Sequence, residues 1–222
     1  MSQSAAATAV PARNDGAFDF GVATGGKVGM WIFLLTDGMS FAGLLLAYGI
    51  LRAGSHSWPD PSQFLGITFT AFMTFVLICS SVSMVMALAA AHEKDKKKLC
   101  FWLAMTIAGG LFFLAGQVKE YGLIAGGLIH EHSMTLSGQQ FFEAFKGQYD
   151  IHFPSTFFII TGFHGCHVLT GVTYLTVVLI NALRGKYTDG PKASANGVEI
   201  VGLFWHFVDL VWILVFTFIY LV

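Results

Sequence analysis

Five apolar runs, each long enough to cross a bilayer and nearly free of charge, decide what this 222-residue chain can become. A hydrocarbon core of about 30 Å calls for about 20 apolar residues in helical form. The runs at 28–51, 64–91, 99–118, 153–183 and 198–222 meet that demand. Each is too long for a barrel strand and lacks period-two alternation, so the spans are helices, which satisfy their own backbone where no water is available. The fold class that follows is all-α, a polytopic membrane bundle of five transmembrane helices. Charge agrees: only 11% of the residues carry one, against about 25% in a soluble domain. A net charge of −1 supplies no basic excess for phosphate, which excludes a nucleic-acid partner.

The connections orient the spans. Lys94, Lys96, Lys97 and Lys98 crowd the second connection, and Arg184, Lys186 and Lys192 lie in the fourth. Arg13 and Lys27 precede the first span. By the positive-inside rule the N-terminus is expected in the cytoplasm and the C-terminus outside. Residues 1–26 are polar and alanine-rich without an apolar core, and read as a flexible cytoplasmic tail rather than a signal peptide. Residues 27–222 then form one five-helix domain. The third connection, about 121–152, is long, and its fragment LSGQQFFEAFKGQYD suits a short helix on the outer surface. Cys79, Cys100 and Cys166 lie in or beside apolar stretches. An odd count in such places reads as packing rather than as a disulfide framework or zinc site.

Ionisable groups within spans are costly and therefore candidates for function. Asp37 stands in the first span, His164 and His167 in the fourth, His206 and Asp209 in the fifth. Counted at 1.5 Å per residue from the span ends, Asp37, His164 and Asp209 all fall about 15 Å deep. Asp37 admits three readings: a carboxylic acid hydrogen-bonded within the bundle, a proton-exchanging acid, or part of an ion site. His164 and His167, at i and i+3, share a helix face. They read as haem or metal ligands, with His206 as the candidate partner, or as hydrogen-bonded imidazoles in the small-residue setting GFHGCHVLTG. In WHFVDLVW, Trp205, Asp209 and Trp212 form one stripe, with His206 one turn from Asp209 and placed to hydrogen-bond it. At the outer end of the third span, Gln117, Glu120 and Tyr121 reach the interface, where Glu120 can meet a lipid headgroup or loop. His130 and His132 make at most half a metal site. No phosphate loop, CxxC, CxxCH, HExxH or GxSxG occurs.

Four of these segments resemble subunit III of the haem–copper terminal oxidases. The fifth span carries that family's WHFVDxVW, and STFFIITGFHGCHVLTG is similar to its TFFxxTGFHGxHVxxG. QVKEY matches QxxEY, and GMWIFLLTDGMSF resembles the opening segment in which an acid follows Ser or Thr. They stand in the family's order and, with the spans, cover nearly all of the chain beyond the tail. The chain is similar to the shorter, five-helix bacterial members. Asp37 occupies the position where longer members carry a carbodiimide-reactive glutamate, and quinol-oxidase forms resemble it in having aspartate there.

The resemblance implies an accessory subunit of a proton-pumping oxygen reductase, without redox centres and in the bacterial cytoplasmic membrane. Its partners are the catalytic subunit I and subunit II, which hold the haems and copper, and the respiratory supercomplex such an oxidase can join. It implies bound phospholipid and support of proton uptake. By the same resemblance Asp37 is the buried carboxylate, and Glu120, His164, His206 and Asp209 are polar positions of the bundle. Trp205 and Trp212 are its packing aromatics, and none of these residues is catalytic. Alternatives are an accessory subunit of a quinol oxidase or nitric oxide reductase, a stand-alone transporter and a di-histidine haem protein.

Overall fold

The computed structural model describes residues 25–59, 66–126, 152–189 and 194–221. The expected tail, save its last two residues, and residues 127–151 with His130 and His132 lie outside them. Among the described residues five helices are long and apolar enough to cross a membrane, which makes the chain a multi-pass membrane protein. They are α1 (Gly25–Gly54), α2 (Ile67–His92), α3 (Lys96–Gly126), α4 (His152–Leu183) and α5 (Asn196–Phe216). A π-helical turn, Thr217–Leu221, continues α5.

Local chemistry sets the tight turns. The α2–α3 turn closes with Asp95 N–H on the Ala90 carbonyl and Lys94 N–H on the Ala91 carbonyl. Lys94 takes φ 57°, the left-handed residue that ends a helix in this motif. Asp95 then caps α3: its Oδ1 accepts the backbone N–H groups of Lys97 and Lys98, both at 3.1 Å. Those bonds, that from Lys98 foremost, hold its carboxylate below the usual range. The end of α4 repeats the device. Lys186 N–H reaches the Asn181 carbonyl and Gly185 N–H the Ala182 carbonyl, with Gly185 at φ 76°.

Packing follows from small residues facing large ones. α5 is the central helix: α2 and α4 pack on it from two sides and α1 from a third. α2 also lies along α3, and α3 along α4. The core is strongly aromatic, with Trp205, Trp212, Phe113, Phe157 and Phe204 fully buried. Gly110 of α3 and Gly171 of α4 clasp the Trp205 indole. A Cβ at the first would lie 2.5 Å from the ring, and at the second 2.9 Å.

α1 is held by a thin stripe. Of its 30 residues only Leu34, Asp37, Phe41 and Tyr48 are buried. Three contacts pin it along its length. Lys27 Nζ sits 2.7 Å from Glu199 of α5, Asp37 meets α4, and Tyr48 packs against Trp58, which packs in turn on Phe153. Its other faces expose Trp31, Leu35, Met39, Leu46 and Ile50, as expected of a surface that meets lipid or another membrane helix.

Candidate functional site

Among the described residues, the polar side chains inside the bundle include three groups that carry titratable residues, a Ser83–Thr106 hydroxyl pair at 2.8 Å between α2 and α3, and one isolated imidazole. The first group joins α1 to α4. His167 Nε2 lies 3.0 Å from Asp37 Oδ1, and His167 Nδ1 lies 2.8 Å from the Phe163 carbonyl oxygen. A carbonyl only accepts, so Nδ1 must carry a proton. Nε2 then either donates to a carboxylate as part of an imidazolium or accepts from a carboxylic acid. Either way one proton is held between Asp37 and His167. The rings of Phe41 and Phe163, centred 5.3 and 4.7 Å from the imidazole, wall the pair. Asp37 Oδ2 has no partner among the described residues.

His164 does not join its neighbour. Three residues before His167, it turns into the core and is fully buried, with no hydrogen bond from the described residues to either ring nitrogen. The Trp212 ring lies 4.9 Å away, Phe113 5.7 Å and Phe41 6.3 Å. Rings packed this closely leave no room for a porphyrin edge, so these residues do not fit a haem. Among the described residues no three His, Cys, Asp or Glu side chains converge on a metal-sized point.

The second group lies between α2 and α5. The sequence pattern pairs His206 with Asp209 directly, but Ser81 of α2 stands between them. Its Oγ is 2.7 Å from His206 Nδ1, and Asp209 comes near the same hydroxyl, although Asp209 Oδ1 has no hydrogen-bond partner among the described residues. Both side chains lean toward α2, whose small residue offers the nearer partner. Trp205 Nε1 donates to Ser80 Oγ at 3.2 Å, and Trp212 Nε1 to Thr74 Oγ1 at 2.8 Å.

The third group ties α3 to α4, α2 and the chain's end. Gln117 Nε2 donates to the Thr161 carbonyl at 2.6 Å, and Tyr121 OH lies 2.6 Å from Thr161 Oγ1. Thr161 spends its own proton on the Phe157 carbonyl, so Tyr121 donates. Glu120, read from the sequence as an interfacial residue, is instead 6% exposed. Its two oxygens accept from Thr70 and Tyr220, each at 3.2 Å. The reason is helix length: α3 runs on past residue 118 to Gly126, which carries Glu120 along the packed face rather than releasing it to the interface. The neighbouring Lys119 turns the other way, its ammonium 5.0 Å from the Phe69 ring centre.

The partners that sequence reading missed are mostly hydroxyls of α2. Thr70, Thr74 and Ser81 receive Glu120, Trp212 and His206. Spaced i, i+4 and i+11, they lie within about 40° of one another on a helix, and that spacing was the available signal. Tyr220 comes into place through the π-helical turn, which shifts the register of the last residues and leaves no mark in composition.

Outside these groups, an apolar groove of about 340 Å³ runs between α1 and the C-terminal turn, lined by Leu45, Leu46, Tyr48, Gly49, Arg52 and Phe218.

Comparison with known proteins places this sequence among relatives. The sequence model of a family described as "Cytochrome c oxidase subunit III" matches residues 8–222. "Cytochrome c oxidase subunit 3" of Corynebacterium diphtheriae is 35% identical over 199 residues, covering 88% of this chain and 87% of the relative. "Probable cytochrome c oxidase subunit 3" of Nocardia farcinica is 35% identical over 197 residues, with the same two coverages. "Cytochrome c oxidase subunit 3" of a Synechocystis species is 34% identical over 195 residues, 87% of this chain and 74% of the relative.

Proposed function

Since the chain belongs to the cytochrome c oxidase subunit III family, we propose that it is the accessory subunit of a proton-pumping haem–copper oxygen reductase and holds no redox centre itself. The observation that carries this reading is the span of the match, residues 8–222. It takes in all five helices and every polar group described above. Haems and copper belong, on this reading, to subunits I and II. Cytochrome c is taken as electron donor because the relatives carry that name. The membrane is the cytoplasmic membrane of a bacterium, with the N-terminus inside. The Lys-rich α2–α3 turn supports that orientation.

Within the assembly, the Asp37–His167 pair has two tasks. It docks α1, whose buried stripe is otherwise only Leu34, Phe41 and Tyr48, and it stores one proton that can exchange with a neighbouring acceptor. His206 with Asp209, and Gln117, Glu120 and Tyr121, hold α2, α3, α4 and α5 together, with Trp205 and Trp212 as packing anchors. His164 sits between the aromatic rings as a neutral filler. Bound phospholipid is supported by the groove between α1 and the C-terminal turn, which offers an apolar trough for an acyl chain.

Mild-detergent purification of the tagged chain from its native membrane, with visible spectra, tests the reading. Co-purification with a large haem- and copper-containing subunit is expected. Recovery of the chain alone and colourless overturns it. In the assembled enzyme, Asp37→Asn keeps a donor for His167 Nε2 but cannot carry the shared proton. Assembly should survive while pumping or turnover lifetime falls, and no change in either refutes the proton role.

A further inference from the structure

A single polar atom faces out of the bundle in the middle of an apolar flank. α5 lies between α1 and α2. Phe207 meets α1 at Gly38, 3.5 Å from a Cβ there, and Trp205 and Trp212 meet α2. Between those two lines, α5 exposes Leu210 and Ile213, with the half-buried Leu203 and His206 in the same stripe, and Ile78 and Val85 of α2 flank Ser81. His206 Nδ1 is engaged with Ser81. Its Nε2 makes no hydrogen bond to any described residue and is not sealed from the surface, so it opens on this flank.

Chemistry fixes what Nε2 presents. Among the described residues Ser81 has one hydrogen-bond partner, His206 Nδ1, and a hydroxyl proton left without an acceptor in an apolar setting is costly. Ser81 therefore donates to His206 Nδ1, and in the neutral imidazole Nε2 carries the proton outward. His206 lies ten residues into α5, about 15 Å from its start, among acyl chains that offer no acceptor. An N–H left unpaired at that depth is expensive, whereas a neighbouring membrane helix can supply an oxygen.

We propose that the α5 flank around His206, floored by Leu203, Leu210 and Ile213, docks a transmembrane helix of a partner subunit that presents a hydroxyl, carbonyl or carboxyl oxygen to Nε2–H. This rests on the accessory-subunit reading. The surface fits a partner of that kind because it repeats, between chains, the pattern that joins α2 to α5 within this one: a polar contact surrounded by aliphatic side chains.

The test uses the whole complex. A photo-reactive benzoylphenylalanine replaces Leu210, and in a second strain Phe112, which is exposed at similar depth on the outer face of α3. Irradiation in the native membrane should give an adduct between position 210 and a partner subunit, and none from position 112. In parallel, His206→Leu should leave the chain folded but raise its loss from the complex on detergent dilution about three- to twentyfold, the range of a membrane hydrogen bond. His206→Gln, which keeps a donor, should restore retention. If the chain fails to co-purify with haem-bearing subunits at all, the accessory-subunit reading has failed. If it co-purifies, but position 210 gives only lipid, small-molecule or self adducts, or His206→Leu is retained like wild type, the docking proposal is overturned and that reading stands.

Discussion

Removing either member of the Asp37–His167 pair should loosen α1, and a double-mutant cycle measures by how much. Asp37→Leu deletes the 3.0 Å contact and leaves Nε2 of His167, itself only 15% exposed, without its partner. His167→Leu does the converse to Asp37, 9% exposed. Each single change is expected to cost about 1–3 kcal/mol, the penalty for a polar group stranded in apolar surroundings. The double change should cost less than the sum, because neither polar group is then stranded. Hydrogen bonds between membrane helices measured by such cycles average about 0.6 kcal/mol and reach about 1.7 kcal/mol. At about 1.4 kcal/mol per factor of ten, that coupling is about three- to twentyfold in the unfolding constant. Titration of the purified chain from mild detergent into dodecyl sulfate, followed by the fluorescence of buried Trp205 and Trp212, supplies all four corners. Asp37→Asn should sit near wild type, since its amide can donate to Nε2 while Nδ1 stays on Phe163. Additivity within about 0.3 kcal/mol, the behaviour of independent sites, or an Asn variant as weak as the Leu variant, would refute the pairing.

Four further outcomes follow from the packing and the caps. Gly110→Ala places a methyl 2.5 Å from the Trp205 ring and should cost about 1–3 kcal/mol in the same titration, whereas Gly43→Ala, with open space around it, should cost nothing. Trp212→Phe keeps most of the volume but loses the 2.8 Å bond to Thr74, so about 1 kcal/mol should go while the complex still assembles. Glu120→Gln should retain both hydroxyl contacts, whereas Glu120→Ala strands the Tyr220 hydroxyl and should expose the C-terminal turn to carboxypeptidase. Asp95 carries a lowered pKa, so its cap contributes above the ordinary aspartate value of about 3.9 and is lost as pH falls through the depressed one. Hydrogen exchange at the Lys97 and Lys98 amides, corrected for intrinsic rates, should quicken only in that acid window.

The spans were legible because lipid makes one demand, about 20 apolar residues without charge, and residues 153–183 meet it as plainly as α4 begins and ends. Helix ends were less so. α3 keeps its hydrogen bonds through QVKEY, where hydropathy has already fallen, because Glu120 and Tyr121 are satisfied by other helices rather than by water. Asp37 and His167 were each visible as costly residues, yet their pairing was not, since nothing in a 130-residue separation announces which imidazole turns toward α1. The same holds for Ser81: a serine in an apolar run is unremarkable until two titratable side chains from another helix converge on it.

The separation between Asp37 and His167 also has a consequence in time. α1 leaves the ribosome before α4 and α5, the helices it packs against. At about 5–20 residues per second, the 130 residues between the pair take about 6–26 s to make. The α2–α3 hairpin, closed by a turn of three residues, can seat itself in the bilayer meanwhile. For that interval α1 lies in the membrane with its aspartate unanswered. An insertase or holding factor that shelters a lone acidic span, or a protease that recognises one, would have that interval in which to act, before the fourth helix exists.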